Sequence, residues 1–270
     1  MSEHPPPTDP AVIVAPPASG GGVLAAALVR AAGVWHLRDH EDVIEPALPA
    51  LAPGARGWRS HELAAADAAG GETTIREAVA AALVDREGQP LDGSRGGLAL
   101  LWDARQALRI RFLDAVFPRS RFVLCARDPA EAAAEMLGSW RSGRAVTISE
   151  LPGWPGARWS LPLIDGWREL AGRPLEEVVV EQWSSITERA LADLEALAPD
   201  RWAVVDFAAL IADPAGELRR VCGFLGIGYD QALRTPVEEI ARRLAAAAGS
   251  PAPGAAALDE PLARARAVHE

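Results

Sequence analysis

Four groups of residues in this 270-residue chain have types and spacings that could do chemistry. The first is Pro17-Ala-Ser-Gly-Gly-Gly22, set between an apolar run (Ala11-Val-Ile-Val-Ala15) and an Ala/Leu-rich segment. A strand that turns through glycines into a helix presents a row of backbone N–H groups, which is the shape of an anion cradle. Ser19 is its one side chain able to donate to a phosphate oxygen, and Gly20, Gly21 and Gly22 supply amides without local positive charge. The same glycines could equally serve close strand–helix packing. The second is Arg127, which ends the apolar run Arg121-Phe-Val-Leu-Cys-Ala126 just before Asp128-Pro129. An arginine at a strand's carboxyl end can clamp a phosphate with two parallel hydrogen bonds, or pair with a carboxylate such as Asp128 or Glu131. The third is the cluster Asp39-His40-Glu41, where a carboxylate or imidazole could act as general base or lie on a solvated turn. The fourth is the tryptophan set Trp140, Trp154, Trp159, Trp167 and Trp183, which could wall an apolar cleft or pack a long loop onto the core.

These groups need elements to hold them. Residues 1–10 carry four prolines and read as a flexible arm. Residues 11–15, 34–37, 96–102, 121–126 and 202–206 read as buried strands. Helical spacing marks 22–32, 73–86, 104–117, 175–197 and 214–225. Asp128 can cap a helix that has Pro129 at its first position. The Pro-, Gly- and Trp-rich stretch 146–170 reads as an ordered loop, and 249–257 as a linker to a tail ending at residue 270. Strands alternating with helices predict an α/β fold, a single domain over 11–248 whose parallel sheet is flanked by helices on both faces.

A hydrophobic fraction of 49% and a charged fraction of 24% belong to an ordinary globular chain. The net charge of −10 opposes a nucleic-acid or anionic-membrane surface. There is no lysine, so every cationic task falls to arginine. Cys125 and Cys222 sit among apolar residues and read as buried free thiols rather than a disulfide. With no signal-peptide pattern and no bilayer-length apolar run, the expected location is cytoplasmic. No metal centre is expected.

Taken together, the chain resembles the bacterial members of the sulfotransferase family from roughly Ile13 to Tyr229. The resemblance is carried by Gly33-Val-Trp-His-Leu37, Ala107-Leu-Arg-Ile-Arg-Phe-Leu-Asp-Ala-Val-Phe-Pro118 and Arg121-Phe-Val-Leu-Cys-Ala-Arg-Asp-Pro129. Trp140-Arg-Ser-Gly-Arg144, Leu151-Pro-Gly-Trp-Pro-Gly156, Gly166-Trp-Arg-Glu-Leu-Ala-Gly-Arg-Pro174, Gln182-Trp183 and Asp213-Pro-Ala-Gly-Glu-Leu-Arg-Arg220 continue it in order. It implies a P-loop-type fold and transfer of a sulfuryl group from 3′-phosphoadenosine 5′-phosphosulfate (PAPS) to a hydroxyl or amine of a small-molecule acceptor. It also implies that Ser19 with Gly20, Gly21 and Gly22 grips the phosphosulfate, that Arg127 meets the 3′-phosphate, and that Asp39 is the base.

The departures fall on the family's cofactor motifs. Its loop Pro-Arg-Ser-Gly-Thr/Ser-Thr/Ser has Ala18 for the arginine and Gly21 and Gly22 for the hydroxyl residues. The lysine of its Glu-Lys-Thr-Pro element is matched by Trp102. The serine eight positions after the strand-end arginine is matched by Glu135, with Ser139 one helical turn beyond as a substitute. Arg105, Arg109 and Arg141 are the arginines available to compensate. Three functions follow: sulfuryl transfer, a catalytically degenerate binding or scaffold protein, and the same cleft turned to other small-molecule chemistry. A homodimer is left open.

Overall fold

The computed structural model describes residues 9–38, 42–91 and 96–233. Asp39, His40 and Glu41, most of the N-terminal arm and the tail 249–270 with its linker lie outside the described residues. The described chain runs through β1 (Ala11–Val14), α1 (Gly21–Leu28), β2 (Val34–Leu37), α2 (Ile44–Ala47), α3 (Glu72–Ala82), β3 (Leu83–Val84), β4 (Leu98–Trp102) and α4 (Ile110–Val116). It continues with β5 (Arg121–Ala126), α5 (Pro129–Ser142), β6 (Val146–Ile148), β7 (Trp159–Ser160), α6 (Leu175–Glu195), β8 (Trp202–Asp206), α7 (Phe207–Ala212) and α8 (Pro214–Leu225).

Six strands form one sheet in the order β3-β2-β4-β1-β5-β8, parallel throughout except for β3 at one edge. The two innermost strands, β1 and β4, are apolar at every position because both faces are covered. Successive residues of β1 divide between the two sides. Ala11, Ile13 and Ala15 join Leu24, Leu28, Val205, Phe207 and Val221 on one face. Val12 and Val14 join Ile75, Phe112, Leu113, Ile186 and Leu194 on the other. This is the single α/β domain with two helical layers that the sequence predicts.

Several boundaries differ from the sequence reading: the helix expected over 22–32 ends at Leu28, the strand expected over 96–102 starts at Leu98, and the stretch 104–117 divides into a 3-10 turn (Ala104–Leu108) and α4. Helical spacing runs to Arg86, yet α3 ends at Ala82 and Leu83–Val84 pair antiparallel with His36 and Leu37. Two apolar residues that continue a helical face satisfy a sheet edge equally well, and the edge's open hydrogen bonds win. The loop 146–170 contains the antiparallel pair β6–β7 and is fixed to α6 by buried Gln182. Gln182 donates to the Ser160 and Pro162 carbonyls at 3.0 and 2.8 Å and accepts from Trp140 Nε1 at 3.0 Å. Trp140 of α5 and Trp154, Trp159 and Trp167 of that loop pack tilted or edge-to-face with ring centroids 4.7–6.3 Å apart, so this part of the tryptophan set is packing. Cys125 and Cys222 are buried free thiols, pushed up to about 12 and about 11 by burial, which keeps both protonated and unreactive.

Candidate functional site

The carboxyl ends of β1, β4, β5 and β8 converge on one cavity of about 370 Å³, the place where open α/β sheets hold ligands. Pro16, Ala18, Ser19, Gly20, Gly21 and Gly22 form its floor, and Trp102, Arg127, Glu135 and Phe207 its walls. The loop is shaped by close approach. Gly20 caps α1 at φ +89°, and a Cβ there would lie 2.2 Å from Phe207 Cδ2. A Cβ on Gly21 would lie 2.4 Å from Trp102 Cη2 and 2.5 Å from Ala15 Cβ. The glycines are therefore fitted to an indole that stands over the loop. Ala18 holds a left-handed conformation (φ 63°) that turns its carbonyl to Arg127. Ser19 is 1% exposed, and its hydroxyl has no partner among the described residues.

Arg127 keeps its place at the end of β5 but is held from several sides. Its Nη1 donates to the Ala18 carbonyl at 2.8 Å and to Glu135 Oε2, and its Nε donates to Glu131 Oε2 at 3.1 Å. The guanidinium lies 4.8 Å from the Phe207 ring centroid. Asp128 caps α5 by accepting from Glu131 N–H at 3.0 Å and so places Glu131 and Glu135 on the face below Arg127. Among the described residues Arg127 is the cavity's one cationic lining group, and two carboxylates already neutralise it.

A second cavity, about 470 Å³, opens past β2 and β4. Glu45, Trp58, His61 and Arg105 line it together with Pro53 and Ile148. Behind it is a buried charge network. Arg109 is fully buried and donates to Asp42 Oδ1 at 2.9 Å, to Glu45 Oε1, and to the His61 carbonyl at 3.2 Å. Arg105 forks onto Asp103 at 2.7 and 2.8 Å and lies 3.4 Å from Asp42. Burial works to raise the Asp103 carboxyl, but the Arg105 fork outweighs it and holds the group below its usual range. Burial raises the Glu45 carboxyl against the pull of Arg109, with Asp42 adding to the rise. Burial, then Arg109 and Arg105, press the His61 imidazole well below its ordinary value.

The structure thus brings Ser19, Gly20, Gly21, Gly22 and Arg127 to one cavity, as the sequence implies. Ser139 stays on α5, half-buried and not among the cavity's lining residues, and Asp39 is outside the described residues. None of the three compensating arginines joins the glycine loop: Arg105 and Arg109 serve the second cavity, and exposed Arg141 pairs with Glu176 at 2.7 Å. Glu45, His61 and Trp58 escaped the sequence reading. A lone histidine between Ser60 and Glu62 carries no motif, and only the fold brings it beside a residue 16 positions away. Among the described residues no group of His, Cys, Asp or Glu could hold a metal ion, and no helix is long and apolar enough to cross a membrane.

Comparison with known proteins agrees with this architecture. The fold is similar to that of sulfotransferase STF1 from Mycobacterium tuberculosis, with a TM-score of 0.53 at 13% identity over 89% of this chain and 77% of that one. It is also similar to sulfotransferase STF9 from Mycobacterium avium, with a TM-score of 0.50 at 15% identity over 91% and 69% of the two chains. The sulfotransferase domain from the curacin biosynthetic pathway aligns with a TM-score of 0.50 at 15% identity over 85% and 78%. No curated protein matches the chain. A sequence model of the sulfotransferase family matches residues 11–231, and the chain belongs to that family.

Proposed function

We propose that this protein is a sulfotransferase-family member that has given up the family's donor, which is anionic at both ends, and works by binding a small molecule. The observation that carries this reading is the enclosure of Arg127 by Glu131, Glu135, the Ala18 carbonyl and Phe207. PAPS brings a phosphosulfate to the glycine loop and a 3′-phosphate to the strand-end arginine. The residues present do not fit it. Where the loop motif has an arginine stands Ala18, where the next strand has a lysine stands Trp102, and the indole covers Gly21. A phosphate at Arg127 would approach the Glu135 carboxylate at a cost of roughly 4 kcal/mol at ~4 Å and an effective dielectric near 20. Sulfuryl transfer also needs positive charge where its oxygens gain negative charge, and this cavity has none to spare.

Sulfuryl transfer from PAPS remains the second reading, favoured by the helix-terminal amides of Gly21 and Gly22 and by the unpartnered Ser19 hydroxyl. Calorimetry with adenosine 3′,5′-bisphosphate separates the two. The wild-type chain should give no binding heat at millimolar nucleotide. Glu135→Ser, which removes the carboxylate and frees one N–H of Arg127 Nη1, should bind at least tenfold more tightly than wild type. Micromolar binding by the wild-type chain would overturn the proposal.

A further inference from the structure

We infer that the glycine-loop cavity takes a small α-amino acid with an apolar side chain, its carboxylate on the loop amides and its ammonium at Glu135. The inference rests on the reading that this cavity has given up the nucleotide, and it names the class of molecule that takes its place.

The anionic end is set by the backbone. Gly21 and Gly22 open α1, so their N–H groups have no acceptor within the helix, and neither has another among the described residues. Ser19 borders the cavity, is 1% exposed, and keeps a hydroxyl without a partner. Three donors around one turn call for a ligand oxygen that carries negative charge. A helix N-terminus supplies only about half an elementary charge. That suits a singly charged carboxylate better than a phosphate, which would need a free cation as well.

The cationic end is set by Glu135. Arg127 Nη1 donates both to the Ala18 carbonyl at 2.8 Å and to Glu135 Oε2. One nitrogen bridging the two holds the carboxylate within two hydrogen-bond lengths of the loop backbone. Glu135 lines the cavity, is 43% exposed, and makes no hydrogen bond at Oε1 among the described residues. With Glu131 on the same guanidinium, two carboxylates face one cation. A simple anion on the amides meets that surplus of negative charge. A simple ammonium at Glu135 leaves the amides and the Ser19 hydroxyl unanswered. A molecule with both charges on one carbon answers both, and the nearness of Glu135 to the loop selects that compact spacing over a longer zwitterion.

The walls set the side chain. The Trp102 indole is packed against Gly21 and the Phe207 ring against Gly20, so two aromatic rings flank consecutive residues of the turn. Phe207 is held in turn by the Arg127 guanidinium, 4.8 Å from its centroid. Pro16 and Val23 add apolar surface to the same cavity. Its volume of about 370 Å³ accommodates a molecule of this size, with the apolar part on the rings and the charged part on the loop.

The test uses the full chain with L-phenylalanine, 3-phenylpropanoate, which lacks the ammonium, and phenethylamine, which lacks the carboxylate. Calorimetry should show L-phenylalanine binding at least tenfold more tightly than either. Glu135→Gln, which keeps an oxygen for Arg127, should weaken L-phenylalanine at least tenfold and tighten 3-phenylpropanoate. In protein carrying ¹⁵N-glycine, the Gly22 N–H resonance should shift with L-phenylalanine. Its assignment comes from its loss in Gly22→Ala, whose methyl group would meet Trp102 only at ordinary contact distance, 3.6 Å or more. No binding of L-phenylalanine at millimolar concentration, equal affinity for it and either analogue, or an unmoved Gly22 signal would overturn the inference. If Glu135→Gln fails to fold, the three probes on the wild-type chain decide alone. Adenosine 3′,5′-bisphosphate in the same titrations keeps the two claims apart. Micromolar nucleotide binding defeats the reading beneath the inference, whereas a chain that binds neither nucleotide nor amino acid defeats the inference alone.

Discussion

At the glycine loop, the cationic group lining the cavity is consumed within the fold: Arg127 is held by Glu131 and Glu135, and an indole fills the space over Gly21. At the Glu45–His61 cleft the opposite holds. Two guanidiniums stand behind three carboxylates, with a buried imidazole and a tryptophan whose backbone carbonyl accepts from Trp167 Nε1 beside them. Both cavities lie past the carboxyl ends of the same sheet, and both descend from one architecture. The difference teaches that cavity shape and cavity chemistry are maintained by different atoms. The glycine loop keeps its form because backbone and packing dictate it, while its cationic lining side chain is paired with carboxylates. The second cleft keeps a network whose members hold one another, so no member can be lost without exposing the rest as unpaired buried charge.

The contrast is most severely broken at Arg109. Arg109→Met should cost about 3–5 kcal/mol, because Asp42 and Glu45 would each lose a buried partner while the His61 carbonyl loses a donor. Urea unfolding followed by tryptophan fluorescence checks this. By contrast, Glu131→Gln at the glycine loop removes a half-exposed i,i+4 partner and should change stability by no more than about 0.5 kcal/mol. Equal losses at the two positions would mean that the two networks differ in arrangement but not in burial.

Much of this was open to a reading of the sequence, for reasons that also explain its failures. Strands buried on both faces are uninterrupted apolar runs, so β1, β5 and β8 are plain from residues alone, as are helices with Asp–Pro starts such as α5 and α8. β3 was hidden because Leu83 and Val84 extend the apolar face of the preceding helix. At the glycine loop the members are close in sequence or fall at strand ends, and Ser19, Gly20, Gly21, Gly22 and Arg127 could be gathered in advance. That Glu135 would occupy Arg127 rather than merely repel a phosphate needed the geometry. The second cleft draws Asp42, His61, Arg105 and Leu163 from segments up to 121 positions apart and depends on backbone groups as much as side chains. No local pattern announces a histidine whose tautomer is set by an amide 102 positions away.

A smaller effect tests whether the indole truly belongs to the glycine loop. Gly21→Ala would press a methyl group against both Trp102 and Ala15, and overpacking of this kind costs about 1–3 kcal/mol. Trp102→Ala in the same chain should recover part of that loss, because it removes one of the two crowding neighbours. Thermal unfolding of the two single variants and the double variant closes the cycle. Strict additivity would show that Gly21 and Trp102 do not share the space, and the loop would then be open to a bulkier occupant.

The last expected effect is a slope rather than a loss, and it belongs to the second cleft. In the folded chain His61 resists protonation because it is buried and faces Arg109 and Arg105, whereas in the unfolded chain it titrates near its ordinary value of 6.5. Below pH 6.5 the unfolded chain therefore binds a proton that the folded chain does not, and stability falls as pH falls, by up to about 1.4 kcal/mol per pH unit. Above that pH His61 contributes no slope. Glu45 acts in the other direction: its carboxyl is raised in the fold above 4.5, so the folded chain holds that proton more tightly, and its contribution to stability grows as pH falls toward 4.5. The two are best separated just below pH 6.5, where the histidine acts first. Urea midpoints at successive pH values between 7.5 and 5.5 should fall for the wild-type chain and for Glu135→Ser alike. The part of that fall due to His61 should disappear in His61→Asn, whose side chain retains an oxygen for the Leu163 N–H but has no proton to gain. An unchanged slope in His61→Asn would place the charged imidazole in solvent and dissolve the distinction between a cleft with a buried titrating group and a loop whose arginine is paired by exposed carboxylates.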